Sequence, residues 1–240
     1  MDRIRWINPN RPVRPRTQAI NSGGGTIPVY INLTGESGGY AYTPDAAPVD
    51  ITGDISLVAQ VALDDWTPAA QTALIAKYDT TGNQRSYMLS VETSGALRLS
   101  WSILGTVVIT ATSTVAPTIG DKQWLWVRGS LDGDNGAAGN DSIFYTSTDG
   151  VTWTQLGTTV TNAVATSILS GTAILEVGSS NTGAATLATG KIGVARVYSD
   201  LTLTTLAADF DPGTRGRHRG TSFTASTGEV WTINGAASLE

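Results

Sequence analysis

From about residue 55 to residue 200 the chain is a succession of short segments rich in β-branched and aromatic residues. Each is cut off by Gly, Asp, Asn, Ser or Thr. Almost no stretch carries the roughly 3.6-residue period of a long helix, so the body must close by pairing strands. Strands are predicted at Ile55 to Leu63, Thr72 to Tyr78, Ser86 to Glu92, Ala96 to Ser102, Thr106 to Thr112, Gln123 to Asp132, Asp141 to Ser147, Thr152 to Leu156, Thr172 to Gly178 and Gly190 to Tyr198. With 40% hydrophobic and only 15% charged residues, Thr, Ser, Asn and Gly must cover much of the surface. Polar, uncharged solvent faces of this kind suit antiparallel sheets. No 20- to 50-residue repeat is visible, which argues against solenoids and propellers.

The two ends differ from this body. Residues 1 to 50 are broken by Pro, Gly and Arg, and the reading divides the chain into an extended attachment arm, 1–50, and a sandwich, 51–240. Within the arm only Thr26 to Leu33, TIPVYINL, is patterned to add a strand to a neighbouring sheet. Near the other end, LTLTTLAADF (201 to 210) is predicted as the one short helix, capped by Thr202 or Thr204. The final run has turns at Thr227-Gly228 and Asn234-Gly235, which predicts a small strand pair or an edge addition with Trp231 packed inward, the run closing the domain against Arg215 to Arg219.

Charge is divided the same way. The overall net charge is −5, yet Arg3, Arg5, Arg11, Arg14 and Arg16 against Asp2 make residues 1 to 17 net +4, leaving −9 for the rest. These arginines and Trp6 are predicted to dock onto a partner protein. Nucleic acid is disfavoured, because no aromatic platforms alternate with the arginines and no nucleic-acid motif follows. The chain has no cysteine, so neither disulfides nor thiolate metal sites can hold it. No secretory apolar region and no membrane-length apolar run are present, and neither classical secretion nor membrane insertion is expected.

Catalytic patterns are hard to find. His218 is the only histidine and sits among arginines, which offer no orienting carboxylate for a serine nucleophile. Glu92 and Glu176 each stand alone in strands, whereas glycoside hydrolysis needs a flanking pair of carboxylates. Ser22 to Gly25 lacks the Lys and helix of a phosphate loop. The expectation is a protein that is not an enzyme. Ser147 to Trp153 reads as a hairpin with Asp149-Gly150 at its turn. For carbohydrate, the candidates are Trp66 and Tyr78 beside Asp64 and Asp79, because sugar C–H faces stack on rings while hydroxyls bond to carboxylates. Trp101, Trp124, Trp126 and Trp153 are read as packing residues, with Trp124 and Trp126 on one face.

Three fragments carry a family resemblance. SYMLSVETSGALRLSWS (86 to 102) resembles paired strands around a Gly turn; KQWLWVRGSLDGDNGAAGNDSIFYTSTDG resembles a central "W-x-x-V-r" strand followed by "l-Y-x-x-x-D-G"; ILEVGSSNTGAATLATGKIGVARVYSDLTL (174 to 203) resembles a "G-x-I-x-x-v-r-i-y" ending. In this order they resemble the laminin G-like, or concanavalin A-like, jelly-roll family. The resemblance implies an all-β fold of two antiparallel sheets in a jelly-roll sandwich. It also implies calcium at loop ends, for which Asp132, Asp134 and Asp141 are the candidates on a Gly-rich turn, with no other cofactor expected. With its broken arm and its GEVWTINGAASL ending, the chain looks like virion proteins of tailed bacteriophages. That implies a non-enzymatic minor tail or surface protein, assembled in the host cytoplasm, docked to capsid or tail subunits and homo-oligomeric in the particle. The alternatives are a capsid decoration protein, or an adhesin contacting host-surface glycans.

Overall fold

The computed structural model describes residues 29–213 and 220–240. Strand β3 (Ile55–Leu63) shows how the pattern folds. Ile55, Leu57, Ala59, Val61 and Leu63 are buried in the core, while Ser56, Val58 and Gln60 alternate onto the opposite face. It pairs antiparallel with β8 (Leu125–Asp132) and with β13 (Thr189–Tyr198), in registers running from Ile55↔Leu131 to Val61↔Leu125 and from Gly190↔Leu63 to Tyr198↔Ser56. Beyond β8 lies β9 (Asn140–Ser147), which pairs with β10 (Thr154–Gln155) and β11 (Val160–Asn162). Beyond β13 lie β1 (Ile31–Thr34), followed by β17 (Ser238–Leu239), and also β14 (Leu206–Phe210).

The second sheet has eight strands, in the order β15 (Ser222–Thr224), β16 (Val230–Asn234), β2 (Tyr40–Thr43), β12 (Leu175–Val177), β4 (Thr72–Asp79), β5 (Gln84–Val91), β6 (Leu97–Trp101) and β7 (Ile109–Thr112). Both sheets are antiparallel throughout. One core between them holds Trp101, Trp231, Tyr87, Phe144 and Phe210, each below 2% exposed. Burying a side chain of this class contributes about 1.5–3 kcal/mol relative to leaving it in water. Phe210 stands edge-on to Trp231 at 5.2 Å and to Phe223 at 5.4 Å, tying the C-terminal strands to the rest.

The predicted strands are therefore present, with β7 shortened to Ile109–Thr112, β10 to Thr154–Gln155 and β12 to Leu175–Val177, and Trp231 is buried between turns at the predicted places. Arg215 to Arg219 and His218 lie outside the described residues. Two expectations are corrected. The helix expected over 201 to 210 is a turn followed by β14. Asp200 gathers the backbone N–H groups of Thr202, Thr204 and Thr205, and Arg196 on β13 then bonds Asp209 at 2.8 Å across the pair. Buried Ala208 and Phe210 alternate with the outward Asp209, so pairing to β13 outweighs helix propensity.

The boundary expected at residue 50 also moves. β1 and β2 are integral to the two sheets: Ile31, Leu33 and Ala41 belong to the core, and Tyr30 exchanges backbone hydrogen bonds with Glu240 at 2.9 and 3.1 Å. Short strands between glycines sufficed because their neighbours were already in place. The sandwich thus includes residues 30–50, and residues 1–28, with Arg3, Arg5, Trp6, Arg11, Arg14 and Arg16, lie outside the described residues.

Candidate functional site

At one end of the nine-stranded sheet a cavity of about 230 Å³ opens among Ala62, Asp64, Lys122, Trp124 and Lys191. Its walls are placed by the backbone. Ala62 and Lys191 are cross-strand partners, and Asp64 leaves β3 with its N–H on Thr189 O at 3.1 Å. Lys122 takes a left-handed conformation (φ 61°) while its N–H bonds Leu63 O at 2.7 Å, which turns the chain so that Trp124 enters over the sheet. β13 bulges between Ile192 and Val194, and the intervening Gly193 leaves room for its neighbours. A Cβ at Gly193 would stand 2.7 Å from Gln60 Oε1 and 3.5 Å from the Trp124 ring. Trp124 is half-buried, tilted against Tyr30 at 5.8 Å, and Lys191 Nζ lies 4.6 Å over the Tyr30 ring.

The same face continues as a stripe of rings and cations. Trp126 is half-buried, and the Gly150 turn folds onto it so closely that a Cβ there would approach the indole to 2.7 Å. Buried Arg128 lies 4.8 Å from the Tyr145 ring centroid, donates to Ser130 Oγ at 2.7 Å and Ser56 Oγ at 3.2 Å, and also reaches Leu201 O. Burial lowers its pKa. Burial alone would lower the pKa of Arg196 too, but the bond and charge of Asp209, with Asp211 at 3.1 Å, raise it overall. The expectation that Trp124 and Trp126 share a face holds, but that face is the outer one. Leu125, Val127 and Leu131 take the core, so the default of core packing is overturned for both tryptophans, while Trp101 is 1% exposed.

The four residues expected to bind carbohydrate do not converge. Trp66 is 4% exposed, belongs to the core, and its backbone N–H is held by Asp121 Oδ1 at 3.0 Å. Tyr78 is half-buried at the far end of β4, about 20 Å from the strand's start next to the Trp66 loop. Asp79 accepts from Thr81 N at 2.7 Å and from Thr182 Oγ1 at 3.1 Å. Only Asp64 reaches the cavity. Trp124, Lys122 and Lys191 were missed. A signal was available, since Trp124 and Trp126 share parity with Arg128, Ser130 and Asp132, a polar set that marks the outer face.

Nor do the calcium candidates gather. Asp132 accepts from Asp134 N, Asp134 from Gly136 N, and Asp141 from Asn135 Nδ2 and Thr161 Oγ1. Each carboxylate accepts hydrogen bonds from neighbouring groups, and among the described residues no three His, Asp or Glu side chains form a possible metal set. Burial and the nearby Asp54 raise the pKa of Asp132. The structure thus gives no support to calcium at Asp132, Asp134 and Asp141. Glu92 is engaged by Arg98 at 3.2 Å, and Glu176, 1% exposed, accepts from Ser179 Oγ, Thr182 N and Gly183 N at 2.6 to 2.9 Å. Burial raises the pKa of Glu176 although these bonds oppose it. Asp149 closes the predicted hairpin by accepting from Val151 and Thr152 N, ahead of β10. A larger crevice of about 260 Å³ between Pro44, Pro48, Val49, Ala207 and the Thr227 to Glu229 turn offers no aromatic ring, and Glu229 is already bonded to Asp209 N and Trp231 Nε1.

No family model and no curated protein match the chain. Solved structures do resemble it. The carbohydrate-binding domain, CBM40, of the Ruminococcus gnavus IT-sialidase, solved with α2,3-sialyllactose, aligns at 17% identity over 70% of this chain and 90% of that one, TM-score 0.52. Domains LG4-5 of the mouse laminin α1 chain align at 14% over 90% and 55%, TM-score 0.47, and an enzymatically active domain of bacteriophage CBA120 tailspike protein 2 at 13% over 77% and 32%, TM-score 0.40. At such identities the likeness is one of fold alone. Two antiparallel sheets around a single core make the chain an all-β, two-sheet jelly-roll sandwich, similar in fold to that carbohydrate-binding domain.

Proposed function

We propose that the sandwich is a non-enzymatic carbohydrate-binding module whose binding face is the outer side of the nine-stranded sheet at Trp124. The observation that carries the reading is the cavity joining a half-buried indole to Asp64, Lys122 and Lys191. A ring beside directional polar groups suits a sugar, whose C–H face stacks while its hydroxyls take hydrogen bonds. The resemblance in fold to a domain solved with sialyllactose supports it. The test is a glycan array, including bacterial envelope saccharides, probed with the full chain. Retention of at least one glycan, abolished by Trp124→Ala, is expected; uniformly blank arrays would defeat the reading.

A second reading concerns where such a module works. The Arg-rich, Pro- and Gly-broken start of the chain and its GEVWTINGAASL ending, which look like those of phage virion proteins, favour a minor tail or capsid-surface protein of a tailed phage, docked through its first residues and displaying the sandwich outward. Deleting residues 1–25 is expected to leave a folded sandwich that no longer enters particles. Normal incorporation of the truncated chain would refute this placement.

A further inference from the structure

At the end of the eight-stranded sheet, Lys77 on β4 is fully buried, an uncommon setting for an ammonium group. Its Nζ bonds Asp45 Oδ1 and the carbonyl oxygens of Gly171 and Ala173, the last at 2.8 Å, and Asp50 Oδ1 lies 3.3 Å away. That Asp50 oxygen is buried and has no hydrogen-bond partner. Tyr87, also fully buried, donates to Val49 O at 3.0 Å beside the same loop. One amine thus stands against two carboxylates: Asp45 in direct contact, and Asp50, whose Oδ1 lies within reach without a hydrogen bond.

We propose that Lys77 and Asp45 join in an intramolecular isopeptide bond, with Asp50 as the proton shuttle. Asp50 takes a proton from the ammonium, and the freed amine attacks Asp45 Cγ. A C–N bond forms, a C–O bond breaks, and the departing oxygen leaves as water with the two protons lost from nitrogen. Asp50 passes these on and ends as the carboxylate it began as, so ammonium plus carboxylate become amide plus water with no other reactant. In open water the ions would be favoured. Here the ammonium is fully withdrawn from solvent while Asp45 is 29% exposed, so their pairing recovers the ammonium's desolvation cost only in part, and ligation removes both charges. Fixed apposition supplies the proximity, and the remaining amide N–H keeps a carbonyl acceptor in Gly171 or Ala173. The link would clamp β2, which ends one residue before Pro44, to β4 across β12.

The intact mass of the denatured full-length chain tests this. The expected result is a mass lower by about 18 Da, one water, with tryptic peptides containing Asp45 and Lys77 joined and no cleavage after Lys77. Lys77→Arg and Asp50→Ala should each restore the full mass. Two results would overturn the proposal: an unmodified wild-type mass with free Lys77, or the same loss mapped to a succinimide at Asp149-Gly150.

Discussion

The two outer faces of the sandwich use similar residues to opposite ends. On the nine-stranded sheet, Trp124, Trp126, Tyr145 and Tyr198 stay half-buried on the face that carries Arg128, Arg196 and Lys191, and a cavity opens beside Trp124 and Lys191. On the eight-stranded sheet, small Ala73 and Ala76 pack with Met88 and Tyr78, and the loop after β12 folds back so that Thr182 and Gly183 bond Glu176. One face has its polar capacity turned outward. The other spends it inward, on closing itself. A buried carboxylate with three donors is a fastening, whereas a half-buried ring in a cavity lined by Asp64, Lys122 and Lys191 is a place for a ligand.

Single tryptophans differ in the same way. Trp66→Ala removes a core ring and should cost about 3–5 kcal/mol of unfolding free energy, read by urea denaturation, with glycan binding unchanged at temperatures where the protein stays folded. Next in size, Glu176→Ala leaves the Ser179, Thr182 and Gly183 donors facing an apolar gap and should cost about 3 kcal/mol. Amide exchange should rise over residues 179 to 185; protection equal to wild type would show that the carboxylate does not hold the loop.

Glu176 also sets a sign with pH. Its folded pKa is raised above the ordinary 4.5, so its contribution is fully present below 4.5 and is lost as pH rises through the folded value, where the unfolded chain ionises first. Stability measured upward from pH 4.5 should therefore fall less steeply in Glu176→Ala than in wild type. The smallest effect is expected at Asp200, whose pKa is depressed by its bonds to Thr204 and Thr205 although burial opposes them. That stabilisation is present above the ordinary 3.8 and is lost as pH falls below it. Asp200→Ala should flatten the acid limb of a stability profile, and an unchanged limb would count against the turn's role.

Much of the sandwich could be read from the chain because period-two patterning is local. Ile55 to Leu63 was placed to the residue, and the turns at Asp149-Gly150 and Thr227-Gly228 follow from their own chemistry. What escaped depends on distant partners. β14 exists as a strand because Arg196 waits on β13 for Asp209, and β1 because β13 and β17 flank it. The binding face was misplaced for a related reason. Trp66 and Trp124 each sit near acidic and loop residues, and only the parity of Trp124 with Arg128 and Ser130 separates outer from inner.

Ligand is expected to meet the nine-stranded face and not the closed one. Calorimetric titration of an array-positive glycan into wild type, Trp124→Ala and Tyr78→Ala tests it most directly. Trp124 is half-buried, so its variant should stay within about 1 kcal/mol of wild-type stability while losing affinity at least about tenfold, near 1.4 kcal/mol, and Tyr78→Ala should bind as wild type does. Full affinity in Trp124→Ala, with the loss falling on Tyr78→Ala instead, would contradict the account.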